Sequence, residues 1–230
     1  MDKDFVYFNP VKILFGEGKI KEAGEYSRAY GNKALIVTTG NLFKENGLVK
    51  KLQEILKKSG VDSVHFPEVD PNPTNKQVDA GALVAKKEGC DFFIGLGGGS
   101  AIDAAKGMAI ALGHGKPIWN FCMGPDMEPI TEKTLPIVAI VTTSGTGSEC
   151  TQWSVITNPE TREKPGIGSD YTFAKLAIVD PELAATMPPA VTASTGFDAL
   201  AHAIEAYTAV LSTPITDMAC ERSIQLCGRY

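Results

Sequence analysis

Three short stretches of this sequence combine residue types and spacings suited to chemistry. The first is Gly95-Leu96-Gly97-Gly98-Gly99-Ser100, which follows the apolar run Phe92-Phe93-Ile94 and precedes Ala101-Ile102-Asp103-Ala104-Ala105-Lys106. Glycine lets the backbone approach a ligand with no Cβ in the way. A helix starting there offers unpaired N–H groups and a partial positive charge, which suit a pyrophosphate, and Ser100 adds a hydroxyl. A tight turn that needs glycine only for packing is the plainer alternative, but three consecutive glycines exceed what a turn requires. The usual dinucleotide fingerprint is not met, because Ser100 stands at its sixth position and Ile118-Trp119-Asn120 supplies no acid about 20 residues on. A Walker loop is excluded because no Gly-Lys-Ser/Thr follows.

The second stretch is Thr142-Thr143-Ser144-Gly145-Thr146-Gly147-Ser148-Glu149, dense in hydroxyls and glycines. It suits a diphosphate or ribose, or simply a helix cap at Ser148. The third is Asp198-Ala199-Leu200-Ala201-His202. On a helix this spacing puts carboxylate and imidazole on one face, one turn apart, within reach of a single cation. Oxygen and nitrogen donors suit Fe²⁺ or Zn²⁺. The competing explanation is an Asp favoured by a helix N-terminus beside a histidine satisfied in the core. A catalytic divalent ion takes about three protein ligands. The other histidines, His65 and His114, lie far off in the sequence, so the set is incomplete.

The elements that must position these groups alternate. Ala34–Thr38, Val64–Phe66, Phe92–Leu96 and Ile137–Val141 read as short apolar strands. Lys19–Tyr30, Lys50–Ser59, Asn75–Glu88 (opened by Thr74) and Ser100–Leu112 read as helices. Such alternation predicts an α/β domain with a parallel sheet covered on both faces, and a ligand crevice beyond the strand carboxyl ends, after Val37, Leu96 and Val141. Upstream, Phe5–Phe8 and Val11–Phe15 read as two strands of a hairpin able to pair with another subunit, which admits a homo-oligomer. Met187-Pro188-Pro189 ends the αβ pattern, and Thr192–Leu211 and Pro214 onward read as helix. The expected division is therefore 1–185, an α/β nucleotide-binding domain, and 186–230, a helical segment too short for a secure core of its own.

Composition narrows the classes. The 230 residues carry 22 Lys plus Arg against 27 Asp plus Glu, so 22 − 27 gives a net charge of −5, which argues against a nucleic-acid surface. Five cysteines without a C-x-x-C pair point to a reducing compartment. No run approaches the ~18 apolar residues of a membrane span. The opening Met1-Asp2-Lys3-Asp4 is unlike a signal peptide. A cytoplasmic protein is expected.

Taken together, Gly97-Gly98-Gly99-Ser100-x-x-Asp103-x-x-Lys106, Thr143-x-Gly145-Thr146-Gly147-Ser148-Glu149 and Gly196-x-Asp198-Ala199-Leu200-x-His202-Ala203-x-Glu205 resemble the iron-containing (group III) alcohol dehydrogenases. The resemblance implies a Rossmann-like parallel-sheet domain followed by the beginning of an all-helical metal-binding domain, the architecture shared with dehydroquinate synthase. It implies an oxidoreductase that interconverts primary alcohols or diols with aldehydes or ketones, using NAD(H) or NADP(H) and Fe²⁺, sometimes Zn²⁺. By position, Gly97, Gly98, Gly99 and Ser100 would hold the pyrophosphate. Asn72, Thr142, Thr143 and Thr146 would line the cofactor cleft, and Lys164 would approach the nicotinamide ribose. Asp198 and His202 would be catalytic as the first two metal ligands.

Family members are longer and carry two further histidine ligands on later helices, so the resemblance implies a C-terminally truncated member. Relatives that use NAD resemble one another in an Asp at the position of Thr39. Thr39-Gly40 without a carboxylate, with Lys44 behind, favours the 2′-phosphate of NADP(H). Two alternatives stand beside the dehydrogenase: a dehydroquinate synthase-like lyase, which would need a basic pocket, and a non-catalytic nucleotide-binding fragment.

Overall fold

The computed structural model describes residues 4–122, 124 and 126–230. The charged start at residues 1–3 lies outside them. In chain order the elements are β1 (Lys12–Phe15), α1 (Ala23–Ser27), β2 (Lys33–Thr39), α2 (Leu42–Glu45), α3 (Leu48–Lys58), β3 (Asp62–Val69), α4 (Asn75–Glu88), β4 (Phe92–Gly97) and α5 (Gly99–His114). There follow β5 (Ile137–Val141), β6 (Ser154–Val155), β7 (Gly166–Ile167), β8 (Leu176–Val179), α6 (Pro181–Ala184), α7 (Pro189–Thr208) and α8 (Pro214–Cys227).

Six strands form one parallel sheet in the order β1-β8-β5-β4-β2-β3, and β6 and β7 make a small antiparallel pair. The central strands are unbroken apolar runs because both faces are covered. Val37, Phe93 and Ile137 join Met108 and Ile102 on the side of α4 and α5, and Ile36, Phe92, Ile94 and Val138 meet Leu52 and Leu56 of α3 on the other. From β2 the chain steps outward to β3. It then crosses back over β2 to β4 and continues the opposite way through β5 to β8. Direction therefore reverses between β2 and β4, the switch point where an open α/β sheet forms its ligand crevice.

Several boundaries follow from local chemistry. Thr74 caps α4 reciprocally with Gln77: its Oγ1 accepts from Gln77 N at 3.3 Å, and Gln77 Oε1 accepts from Thr74 N at 3.1 Å. The helix expected over Lys19–Tyr30 is instead a 3₁₀ turn at Lys19–Glu22 followed by the short α1. There, the N–H groups of Gly18 and Ile20 bond the Asp180 carboxylate, both at 3.1 Å, so a distant strand end fixes the segment.

The N-terminal hairpin does not form. Phe5–Phe8 has no regular structure, and Lys12–Phe15 pairs parallel with β8 as an edge strand. Phe8 instead packs edge-on against Phe173, and Asn9 Nδ2 donates to the Cys150 carbonyl at 3.2 Å. Strand β8 carries no periodicity of its own beyond four residues and escapes a sequence reading.

Beyond Pro188 the chain is helical, and α7 and α8 form a hairpin joined at its flank by Tyr207 Oη to Glu221 at 3.2 Å. Its core is thin: Ala203 alone in α7 and Cys220 alone in α8 are buried. Among the described residues no helix is long and apolar enough to cross a membrane.

Candidate functional site

The glycine run lies at the switch point. Gly97 ends β4, Gly98 is the N-cap of α5, and Gly99 and Ser100 form its first turn. A Cβ on Gly98 would stand 2.7 Å from Thr143 Oγ1, and one on Gly99 would stand 2.8 Å from Thr146 Cγ2. The two small-residue loops thus touch, and only glycine lets them. The Gly98 carbonyl takes the N–H groups of Ala101 at 3.2 Å and Ile102 at 3.3 Å, which leaves those of Gly99 and Ser100, with the helix dipole, for the crevice.

Ser100 Oγ accepts from Asn72 N at 3.1 Å, which leaves its own proton for an acceptor in the cleft. Asn72 sits at φ 62°, and its Oδ1 takes a 2.7 Å hydrogen bond from Lys164 Nζ. Thr142 is buried and acts through its backbone, donating to the Gly97 carbonyl at 3.0 Å.

These groups open onto a cleft of about 820 Å³ whose lining includes Ser100, Thr146, Trp153, Lys164, Asp198 and His202. Asp198 and His202 lie in the middle of the 20-residue α7, nine and thirteen residues past its start at Pro189, so neither a helix N-terminus nor a core position explains them. Both side chains are part-exposed, 40% and 51%, with Asp198 Oδ1 3.9 Å from His202 Nε2. His202 Nδ1 donates to the Gly145 carbonyl at 3.1 Å, which turns Nε2 towards Asp198. That is the donor set of a borderline divalent cation, with the second ring nitrogen already oriented. Among the described residues no group of three or more His, Cys, Asp or Glu could hold a metal, so the pair is a partial ligand set.

Thr39 and Gly40 line a separate cleft of about 540 Å³, joined to the first by Pro71 and Asn72. The sequence reading sees no carboxylate at Thr39. The fold supplies two: Glu68 and Asp70 line the same cleft, because a register shift in the β2–β3 pairing sets Thr39 opposite both Glu68 and Val69. Thr38 Oγ1 donates to the Gly40 carbonyl at 2.9 Å and meets His65 Nε2 at 2.8 Å, so Nε2 carries a proton. Burial, with Lys44 adding to it, lowers the His65 pKa and keeps the ring neutral.

Asp103 and Lys106 had no assigned task in the sequence, though their spacing of three puts them on one helical face. Asp103 Oδ1 accepts from Ser148 Oγ at 2.6 Å and Oδ2 from Val155 N at 3.2 Å. Burial raises the Asp103 pKa despite these bonds. Burial likewise pushes the Glu149 carboxyl up and the Lys106 ammonium down to about 8.

The description of iron-containing alcohol dehydrogenase fits residues 10–181, and that of the C-terminal part of the Fe-containing alcohol dehydrogenase family fits residues 192–230. The chain belongs to the iron-containing alcohol dehydrogenase family. Among its relatives, choline dehydrogenase of Bacillus subtilis is 40% identical over all of this chain and 57% of its own length. Two solved family structures superpose along nearly the full chain. An alcohol dehydrogenase from an archaeal halo-thermophile of a Red Sea brine pool has TM-score 0.95 and 41% identity, with 100% of this chain and 59% of that one covered. Sulfoacetaldehyde reductase from Bifidobacterium kashiwanohense in complex with NAD⁺ has TM-score 0.92 and 35% identity, with 99% and 60% covered. The chain thus spans less than two thirds of the length of these relatives. The Rossmann-like parallel sheet expected from the sequence is that of this family, and the structure gives it six strands.

Proposed function

We propose that this chain serves hydride transfer between a small primary alcohol or diol, and its aldehyde or ketone, and a nicotinamide coenzyme, with a divalent ion, Fe²⁺ or Zn²⁺, held in part by Asp198 and His202. The carrying observation is that one cleft joins the N-terminus of α5, with its glycines against Thr143 and Thr146, to the Asp198–His202 face of α7. The N–H groups of Gly99 and Ser100 bind and orient the pyrophosphate. Asn72, fixed between Ser100 and Lys164, and Lys164 itself line the path towards the nicotinamide end. Asp198 and His202 would hold the ion, which when bound would supply Lewis acidity at the substrate oxygen, and the two glycine-rich loops would hold the coenzyme, which would supply the hydride chemistry. His202 presents Nε2 because Gly145 holds Nδ1–H.

In this reading residues 1–185 are the coenzyme domain and 186–230 the metal-facing helices. Glu68 and Asp70 beside Thr39 turn the coenzyme preference from NADP(H) towards NAD(H), since carboxylates accept from a ribose 2′-hydroxyl and repel a 2′-phosphate. The five free cysteines support a reducing, cytoplasmic setting.

The test is titration of the chain with NADH and NADPH by nicotinamide fluorescence, with metal content measured after chelation and reloading with Fe²⁺ or Zn²⁺. The expected outcome is saturable coenzyme binding, with His202→Ala lowering the metal content and leaving that binding intact. If neither coenzyme binds, or His202→Ala retains metal as the parent does, the reading fails.

A further inference from the structure

Lys106 is fully buried, yet none of its hydrogen bonds goes to a carboxylate. Its Nζ donates to the carbonyls of Ser148 at 2.7 Å, Thr151 at 2.8 Å and Trp153 at 2.8 Å, with Ser148 Oγ at 3.3 Å. An ammonium has three N–H donors, and here three carbonyls of one loop take them. One turn earlier on the same face, Asp103 fastens the two ends of that loop. It accepts from Ser148 Oγ and from Val155 N, and its own carbonyl takes Ser154 Oγ–H at 2.7 Å. Burying a charge in this way is costly unless all its bonds are met, and a lone apolar side chain would hold the helix in place as well. What the ammonium adds is a fixed path for the 148–153 backbone, which brings Ser148, Thr151 and the half-exposed Trp153 to the wall of the large cleft.

We propose that Lys106 is a positioning residue: it ties the 148–153 loop, which lines the same cleft as Asp198 and His202, to the helix whose N-terminus takes the pyrophosphate, so that the coenzyme's two ends are received at a fixed separation. This rests on the proposed coenzyme site. The loop must hold its shape for the nicotinamide half to fit, whereas the adenosine-diphosphate half needs only the helix start.

The groups facing Nζ are Asp103 on α5 and Glu149 and Cys150 on the loop, and Lys164 acts on Asp103 in turn. Burial raises the Asp103 and Glu149 carboxyls and takes the Cys150 thiol to about 11, while it lowers the Lys106 ammonium to about 8. A neutral amine keeps two N–H donors for three carbonyls, so one carbonyl is released.

The experiment uses the full chain with Trp119→Phe, which leaves Trp153 as its sole tryptophan. Lys106→Met should still melt cooperatively, bind ADP-ribose within about twofold of the parent, lose roughly tenfold in NADH affinity, and lose energy transfer from Trp153 to bound NADH. Equal changes for the two ligands, or unchanged energy transfer, overturn the proposal. Should Lys106→Met fail to fold, the parent alone decides. Its Trp153 emission, without coenzyme, should shift as pH rises through about 8, and a flat profile between pH 7 and 9.5 overturns the proposal. If the parent binds neither NADH nor ADP-ribose, the coenzyme reading falls, and the emission profile still judges Lys106.

Discussion

Gly145 meets three demands at one backbone position. Its φ is 104°, a Cβ there would stand 2.7 Å from both Asp198 Oδ2 and the Thr195 carbonyl, and its own carbonyl orients His202. No other residue type satisfies the first two without strain. Gly145→Ala should therefore cost about 1–3 kcal/mol of stability, seen as a lower urea midpoint, and should weaken Zn²⁺ binding by pushing Asp198 from its place. A variant with parental midpoint and parental Zn²⁺ affinity would contradict this account. The Asp198–His202 pair was legible from spacing alone, because a helix fixes which residues share a face. The glycine opposite them was not, since its neighbours come from a helix some 50 residues on in the chain.

At the scale of elements, the parallel pairing of β2 with β3 decides which groups share the cleft of Thr39 and Gly40, the proposed ribose end. Thr39 and Gly40 alone look open to a 2′-phosphate, while β3 carries Glu68, and Asp70 just beyond it, into the same cleft. Asp70 Oδ2 is held by Gln77 Nε2 at 2.8 Å, so it is anchored by α4 rather than loose. Combining Glu68→Gln with Asp70→Asn should raise NADPH affinity relative to NADH by roughly tenfold, because two repelling charges are removed while the hydroxyl and backbone donors remain. Paired fluorescence titrations measure the ratio, and an unchanged ratio would remove these carboxylates from coenzyme choice. The opening of α4 at Thr74 and the apolar runs of β4 and β5 were readable directly, since both are set by neighbours in sequence. The supposed N-terminal hairpin was misread because Lys12–Phe15 finds its partner in β8, far along the chain, and in parallel.

For the whole molecule, the buried ammonium makes stability depend on pH. The Lys106 pKa lies near 8 in the folded chain against an ordinary 10.5, so between those values the unfolded chain binds more protons. Folding is therefore favoured increasingly as pH rises from about 8 towards 10.5, by up to about 3 kcal/mol from this group. The thiols of buried Cys90 and Cys122 and part-buried Cys150 work the other way, their pKa values being raised by desolvation to about 11, 12 and 11. The urea stability of the parent minus that of Lys106→Met cancels the thiols, and this difference should grow across that window. A difference that stays constant across that window would mean that burial does not lower the Lys106 pKa and that the folded chain keeps this proton as well as the unfolded one does.

The sequence by itself determined what depends on near neighbours: the alternation of strand and helix, the glycine run at a helix start, and an Asp and a His one turn apart on one face. Short-range sterics, capping and periodicity are enough for these. The tertiary structure alone decided which groups meet. It set Gly145 beneath His202, Glu68 and Asp70 beside Thr39, and the Lys106 ammonium among three loop carbonyls. These encounters join segments far apart in the chain, and strand order and register, which fix them, come from burial summed over the whole sheet.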